Sequence, residues 1–284
     1  MVTVKAPAKI NLTLDTLYKR EDNFHEVEMI MTTVDLADYV TVSEIAADRI
    51  IMKSNDFGIP LNEKNLAFQA ARLFKRHFGI KKGVEIFIKK RIPIAAGLAG
   101  GSSNAAATLK GLRELWKVDC TLEELAVLGS RLGSDVPFCV MGGTALATGR
   151  GEQIQAISSP PKCWVILIKP RIGVSTKVIY EALDATHAHH PDTKGMLEAI
   201  ERQDYDGICQ RLGNSLEDVT LAKYPVVGDI KNRLIQFGVD AALMSGSGPT
   251  VFALVRKDYK LRRIINSING CFREHDVYAV RLIG

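Results

Sequence analysis

Between a strand-like run, Val84 to Ile92, and a helix-like run, Ala105 to Lys117, the chain carries Pro93-Ile94-Ala95-Ala96-Gly97-Leu98-Ala99-Gly100-Gly101-Ser102-Ser103-Asn104. Three glycines and three alanines leave almost no side-chain bulk, so a ligand can approach the backbone closely. Two serines and Asn104 suit a helix start, where free N–H groups and the helix dipole attract anions. Strand, small-residue turn and helix N-terminus together make a phosphate cradle. The same residues could also form a plain tight connection. The run lacks GxxxxGK[ST] and fits GxGxxG poorly, so a triphosphate held here needs a lysine from elsewhere in the chain.

The chain has 284 residues, enough for two domains or one large one with a substantial core. Its 37 Lys and Arg against 32 Asp and Glu give +5, compatible with a small anionic substrate and without a basic block that demands nucleic acid. Lys257-Asp258-Tyr259-Lys260-Leu261-Arg262-Arg263 reads as the solvated face of a helix. The cysteines Cys120, Cys139, Cys163, Cys209 and Cys271 show no CxxC pair, which argues for a reducing compartment and against a zinc or disulfide framework. The N-terminus has no apolar leader, and the run Trp164 to Ile168 is too short to span a bilayer. A cytoplasmic protein is expected, with no membrane or nucleic-acid partner.

Alternation from Ile10 to Asp15 predicts a half-buried strand, followed by a turn at Arg20-Glu21-Asp22-Asn23 and apolar segments at Val27 to Val34 and Val40 to Ile45. Helical spacing of Leu66, Ala70, Leu73 and Phe74 follows Asn65. Thr121-x-x-Glu124 is a capping box for a helix expected to end at Gly133. The glycine-rich run from Gly142 to Ala147 predicts a strand that reaches a turn at Gly149-Arg150-Gly151. Ser158-Ser159-Pro160-Pro161 is the best candidate for a domain boundary, and beyond it strands and clustered helices continue to Val277 to Leu282. The fold class expected is α+β.

Lys9, in Ala6-Pro7-Ala8-Lys9-Ile10-Asn11-Leu12, adjoins a partly buried strand. It reads equally as a functional lysine and as one snorkelling at a sheet edge. Asp135 lies in the apolar setting of Val136-Pro137-Phe138, either as a carboxylate that needs a partner or as a turn or N-cap residue. Ser245-Gly246-Ser247-Gly248-Pro249 is a second small-residue turn. His187, His189 and His190 lack carboxylate or thiol companions and read as a solvent loop, while Cys139 reads as a buried small hydrophobe.

The runs around Lys9, Gly97 to Ser103 and Ser245 to Pro249, in this order, resemble the three motifs of the GHMP kinases. Within that family, Lys19 to Val27, Leu132 to Phe138 and Gly149 to Glu152 resemble members whose acceptor is cytidine diphosphate methylerythritol. The resemblance implies an α+β, two-domain GHMP kinase fold with the active site in the cleft between the domains. Residues 1–157 would form the ATP-binding domain and 158–284 the C-terminal domain. It further implies an ATP-dependent phosphotransferase with an alcohol acceptor, acting in non-mevalonate isoprenoid biosynthesis. Pro93, Ile94, Ala95, Ala96, Gly97, Leu98, Ala99, Gly100, Gly101, Ser102 and Ser103 would wrap the ATP phosphates, with Asn65 and Lys90 near the adenine. Lys9 and Asp135 match the catalytic pair; Asn11 and His25 match acceptor contacts, and Phe24 and Tyr180 match positions that hold a cytosine ring. Mg2+ would travel with ATP, with Ser103 in reach and no carboxylate assigned to the metal.

Other readings are a family member acting on another small alcohol or phosphate, such as isopentenyl phosphate, homoserine or mevalonate, and a non-catalytic nucleotide binder. Asn23 and Phe24 stand where relatives usually carry Gly and Tyr. Ala95, Ala96 and Ala99 replace glycines of some members, which should stiffen the loop.

Overall fold

The computed structural model describes residues 1–185 and 188–284, so His187 lies outside the described residues. The chain forms two compact units that its path enters more than once. The first comprises Met1–Ala8, Leu36–Ile94 and Ala99–Gly142; the second comprises Lys9–Asp35, Ala95–Leu98 and Gly143–Gly284. The expected boundary at 157/158 falls within the second unit. The architecture is α+β, as the spacing of strands and helices predicts.

Two long strands, β1 (Val2–Lys19) and β2 (His25–Ile45), contribute residues to both units. The sequence pattern predicts two separate segments where β2 runs unbroken. Thr32, Thr33, Asp35 and Asp38 interrupt the apolar alternation, but the backbone ladder continues. Residues 29–32 pair with 144–147, and residues 39–45 pair with 83–89. Ladder bonds satisfy the backbone whatever the side chains are, so pairing overrides the pattern.

In the first unit β3 (Ile50–Ser54), α1 (Leu66–His77) and β4 (Gly83–Lys89) come next, with strand order β3-β4-β2-β1 and β3 parallel to β4. The short strand β3 escapes the sequence reading because only Met52 of its residues is buried. Asn65 caps α1, accepting a bond from the Ala67 amide. Helix α2 (Gly100–Leu115) packs on α1 and buries Ala105, Ala106, Ala107, Leu109 and Leu112. Gly111 brings α2 close to the sheet: a Cβ there would stand 3.0 Å from a Val42 methyl.

Helix α2 starts well before Ala105, the expected start. Gly-Gly-Ser-Ser has weak helix propensity, but side-chain bonds from Ser103 and Asn104 hold this turn in place. Helix α3 (Leu122–Gly129) has both bonds of the expected capping box and ends at Gly129 rather than Gly133. There the Leu132 amide turns back onto the Gly129 carbonyl and the Ser130 hydroxyl onto the Val127 carbonyl. A six-residue helix, α4 (Val136–Met141), completes the unit.

From Gly143 the second unit continues with the hairpin β5 (Thr144–Thr148) and β6 (Gln153–Ile157), followed by β7 (Trp164–Lys169). Helices α5 (Thr176–Ala182), α6 (Thr193–Glu201) and α7 (Tyr205–Gln210) lead to a two-residue strand, β8 (Gly213–Asn214), which pairs in parallel with Thr13 and Leu14 of β1. Then come α8 (Glu217–Lys223), α9 (Pro225–Gln236), β9 (Ala241–Met244), β10 (Val251–Val255), α10 (Asp258–Cys271) and β11 (Asp276–Arg281). An antiparallel sheet of order β11-β7-β10-β9 forms the core of this half. Its central strands are continuous apolar runs buried on both faces. Among the described residues no helix is long and apolar enough to cross a membrane.

Candidate functional site

The first unit holds the helix end that the small-residue run predicts. Ala99 adopts a left-handed conformation, φ +55°, and no side chain caps α2. Its first amides therefore have no intrahelical acceptor, and the Ser103 amide closes the first turn on the Ala99 carbonyl at 2.8 Å. Gly101 is exposed and Gly100 and Ser102 half-buried, while Ser103 is buried and its hydroxyl donates to the Pro7 carbonyl at 2.7 Å. Ala95 is left-handed too, φ +51°. Such a backbone costs an alanine roughly 1–2 kcal/mol, so both positions are strained as well as stiff.

Asn65 uses both ends of its carboxamide, accepting from Ala67 and donating to the Pro60 carbonyl at 2.8 Å. The Lys90 ammonium is buried, 2.8 Å from Asp38 Oδ2, and also donates to the Ile92 carbonyl. Nothing in the sequence sets Asp38 apart from Asp35 and the other acids of β2, yet it alone of them is completely buried. Asp135 stands at the N-cap of α4, half-buried, in αR conformation and with no capping bond from its side chain. Asp135 thus occupies the turn and cap position that the structural reading offers, without the side-chain bond that would make it a cap in energetic terms. Lys110 of α2 donates to the Cys139 and Val140 carbonyls at the far end of α4, and burial lowers its pKa.

In the second unit Lys9 is 4% exposed. Its ammonium donates to Asn11 Oδ1 at 2.7 Å and to the Gly97 carbonyl at 3.3 Å. The Ser245 hydroxyl donates to the same carbonyl at 3.0 Å, so three motifs distant in sequence meet at Gly97. Gly97 has φ +73°, and a Cβ on it would lie 2.3 Å from the Ser245 carbonyl oxygen. Asn214 holds the Ser245 turn from the other side, donating to the Met244 and Gly246 carbonyls at 2.9 and 2.8 Å. Nothing in the sequence pattern marks it.

Asn23 takes φ +64°, which asparagine tolerates, and delivers Phe24 to the surface, 52% exposed. The Arg150 guanidinium lies over that ring, 4.9 Å from its centroid. His25 and Tyr180 meet with ring centroids 5.3 Å apart, tilted by 34°. Partial burial, and secondarily the charge of Lys19, hold the His25 pKa below its ordinary value of 6.5. The Arg20 to Glu26 turn is fastened to the β5–β6 hairpin through Glu26, which accepts from the Gly149 amide at 3.1 Å and pairs with Arg20. His190 bonds Asp15 across 2.7 Å. Among the described residues no three His, Cys, Asp or Glu side chains gather as metal donors.

The GHMP kinases N terminal domain matches residues 65–143, and the GHMP kinases C terminal domain matches 196–284. A 4-diphosphocytidyl-2-C-methyl-D-erythritol kinase of Bacillus subtilis is 58% identical over 280 residues, covering 99% of this chain and 96% of the relative. One of Bacillus cytotoxicus is 57% identical over 281 residues with the same coverage. A crystal structure of 4-(cytidine 5'-diphospho)-2C-methyl-D-erythritol kinase superposes with a TM-score of 0.83 at 30% identity, covering all of both chains. A homoserine kinase from Cytophaga hutchinsonii shares the fold, with a TM-score of 0.78 at 20% identity over 99% of this chain and 95% of its own.

Proposed function

This chain belongs to the GHMP kinases, and from that membership we propose that it transfers the γ-phosphoryl group of ATP to the 2-hydroxyl of 4-diphosphocytidyl-2-C-methyl-D-erythritol, a step of non-mevalonate isoprenoid biosynthesis. The observation that carries the acceptor is the 57–58% identity, along 99% of the chain, to kinases of that name.

The uncapped start of α2, with Gly100, Gly101, Ser102 and Ser103, receives the phosphates; Pro93 to Ala99 wraps them. Asn65 and Lys90 shape the adenine side through their buried bonds. Asp135, whose carboxylate is free of capping duty, accepts or orients the proton of the acceptor hydroxyl. Lys9 offsets the charge that develops on the transferring group, and Asn11 sets the direction of its ammonium. Phosphoryl transfer depends mainly on such positioning and electrostatics. Mg2+ is expected with ATP. This ion commonly takes phosphate oxygens, water and one or two protein oxygens, so a dense cluster of carboxylates is not required. The Ser103 oxygen, which keeps acceptor capacity while donating to Pro7, is its candidate protein contact.

His25, Tyr180 and Phe24 receive the cytosine, and Arg150 backs the Phe24 ring. CDP is expected to compete with the acceptor at submillimolar concentration. Absence of competition at millimolar CDP, while another alcohol is turned over, would overturn the acceptor assignment.

The His25 environment adds a pH dependence. Folding favours the neutral ring, so its contribution is present above pH 6.5 and is lost as pH falls below that value. The acceptor KM should stay flat from about pH 7 to 8 and rise as pH falls below 6.5, a rise that His25→Gln abolishes. An identical acid limb in His25→Gln would assign the rise to another group.

A further inference from the structure

We infer that Asp38 is a positioning residue of the phosphate loop, joining the strand that enters the loop to the helix that leaves it. The inference rests on the reading of Gly100 to Ser103 as the ATP phosphate site. Asp38 is completely buried, and four donors converge on its carboxylate. Oδ1 accepts from the Arg91 and Ile92 amides at 2.6 and 2.8 Å. Oδ2 accepts from Lys90 Nζ and Asn104 Nδ2, each at 2.8 Å. A carboxylate is tolerated at zero exposure only with this degree of satisfaction.

Its place in the fold explains what the bonds do. The β2–β4 ladder ends at the Tyr39–Lys89 pair, so the amides of Arg91 and Ile92 have left the sheet. Asp38, one residue before Tyr39, supplies from its side chain the acceptor that the missing ladder would have provided. Asn104, meanwhile, lies in the opening turns of α2, directly after the serines. One carboxylate therefore sets the separation between Ile92 and Asn104, the two shoulders of the run 93–103. With the shoulders fixed, Ala99 is held in its strained left-handed conformation and the amides of the first turn keep one orientation. The residue acts on ATP through the backbone and touches no reacting atom itself.

The test uses the full-length chain with Asp38→Asn and Asn104→Ala. Asparagine at 38 keeps an acceptor oxygen for the two amides but turns an NH2 group toward Lys90 and Asn104. Loss of both Oδ2 bonds is expected to raise the ATP KM about tenfold in Asp38→Asn, and loss of the single Asn104 bond about fivefold in Asn104→Ala, leaving the acceptor KM within about twofold. A purely structural role would lower the melting temperature and the active fraction while leaving both KM values unchanged; that result overturns the inference. If Asp38→Asn does not fold, Asn104→Ala, which leaves the carboxylate and three of its donors in place, decides by the same criterion. The failure of the underlying reading looks different: the unmodified protein would then show no saturable use of ATP.

Discussion

Asp135→Ala is expected to lower kcat at least about a hundredfold, the usual scale for removal of a general acid–base group, with the melting temperature and ATP dissociation constant almost unchanged. The separation of the two effects follows from the surroundings of the residue. Asp135 occupies the cap position of α4, yet its backbone is αR and its side chain caps nothing. An aspartate that holds a helix end costs about 1 kcal/mol when truncated; this one has no such bond to lose. Helix α4 keeps Pro137 in its first turn and Lys110 on its last carbonyls, so its formation does not depend on the carboxylate. Asp135→Asn, which preserves shape, separates proton acceptance from orientation. A loss as large as that of alanine identifies acceptance, and a much smaller one identifies orientation of the hydroxyl. Turnover of Asp135→Ala within about fivefold of the parent would remove the residue from the chemistry.

Gly97→Ala should damage both folding and turnover. The added methyl would stand 2.3 Å from the Ser245 carbonyl oxygen and 2.9 Å from that of Gly248, both backbone atoms that cannot swing aside. The left-handed φ of +73° adds its own penalty for a residue with a Cβ. The two together cost about 3 kcal/mol or more. Relief by displacement would pull the Gly97 carbonyl away from Lys9 and Ser245, the two groups that donate to it. A displacement of about 1 Å at such a point is enough for about a hundredfold loss in kcat/KM. Gly101→Ala is the matched control, since its Cβ would meet only a Leu66 methyl at 3.6 Å. It should keep its melting temperature while the ATP KM rises, because the exposed start of α2 is where phosphates would approach. Normal thermal stability and normal kinetics in Gly97→Ala would contradict the packing described around Ser245.

Several local features are legible in the sequence because they are backbone devices that small residues and capping pairs announce. The run 93–104, the Ser245 turn and the Thr121 capping box each need particular residue types at fixed spacings, and the structure contains all three. The groups that hold them were not readable. Asp38 and Asn214 work through single side chains that reach backbone groups far along the chain, and a lone buried polar residue has no periodicity to betray it. Helix α2 starts earlier than its residues predict for a related reason: glycine and serine have weak local preference for helix, and the bonds from Ser103 and Asn104 decide the matter. The union of two expected segments into β2 likewise reflects ladder partners 38 or more residues away in sequence.

The route of the chain has a consequence for how such a protein can be cut. It crosses from one compact unit to the other after Ala8, Asp35, Ile94, Leu98 and Gly142. No single scission can therefore release either unit whole. A fragment that begins at residue 143 retains the sheet β11-β7-β10-β9 but lacks Lys9 and Gly97, the partners of the Ser245 turn. The two halves are compact without being modular, so deletion, shuffling or split-protein designs must treat the full length as one inheritable piece.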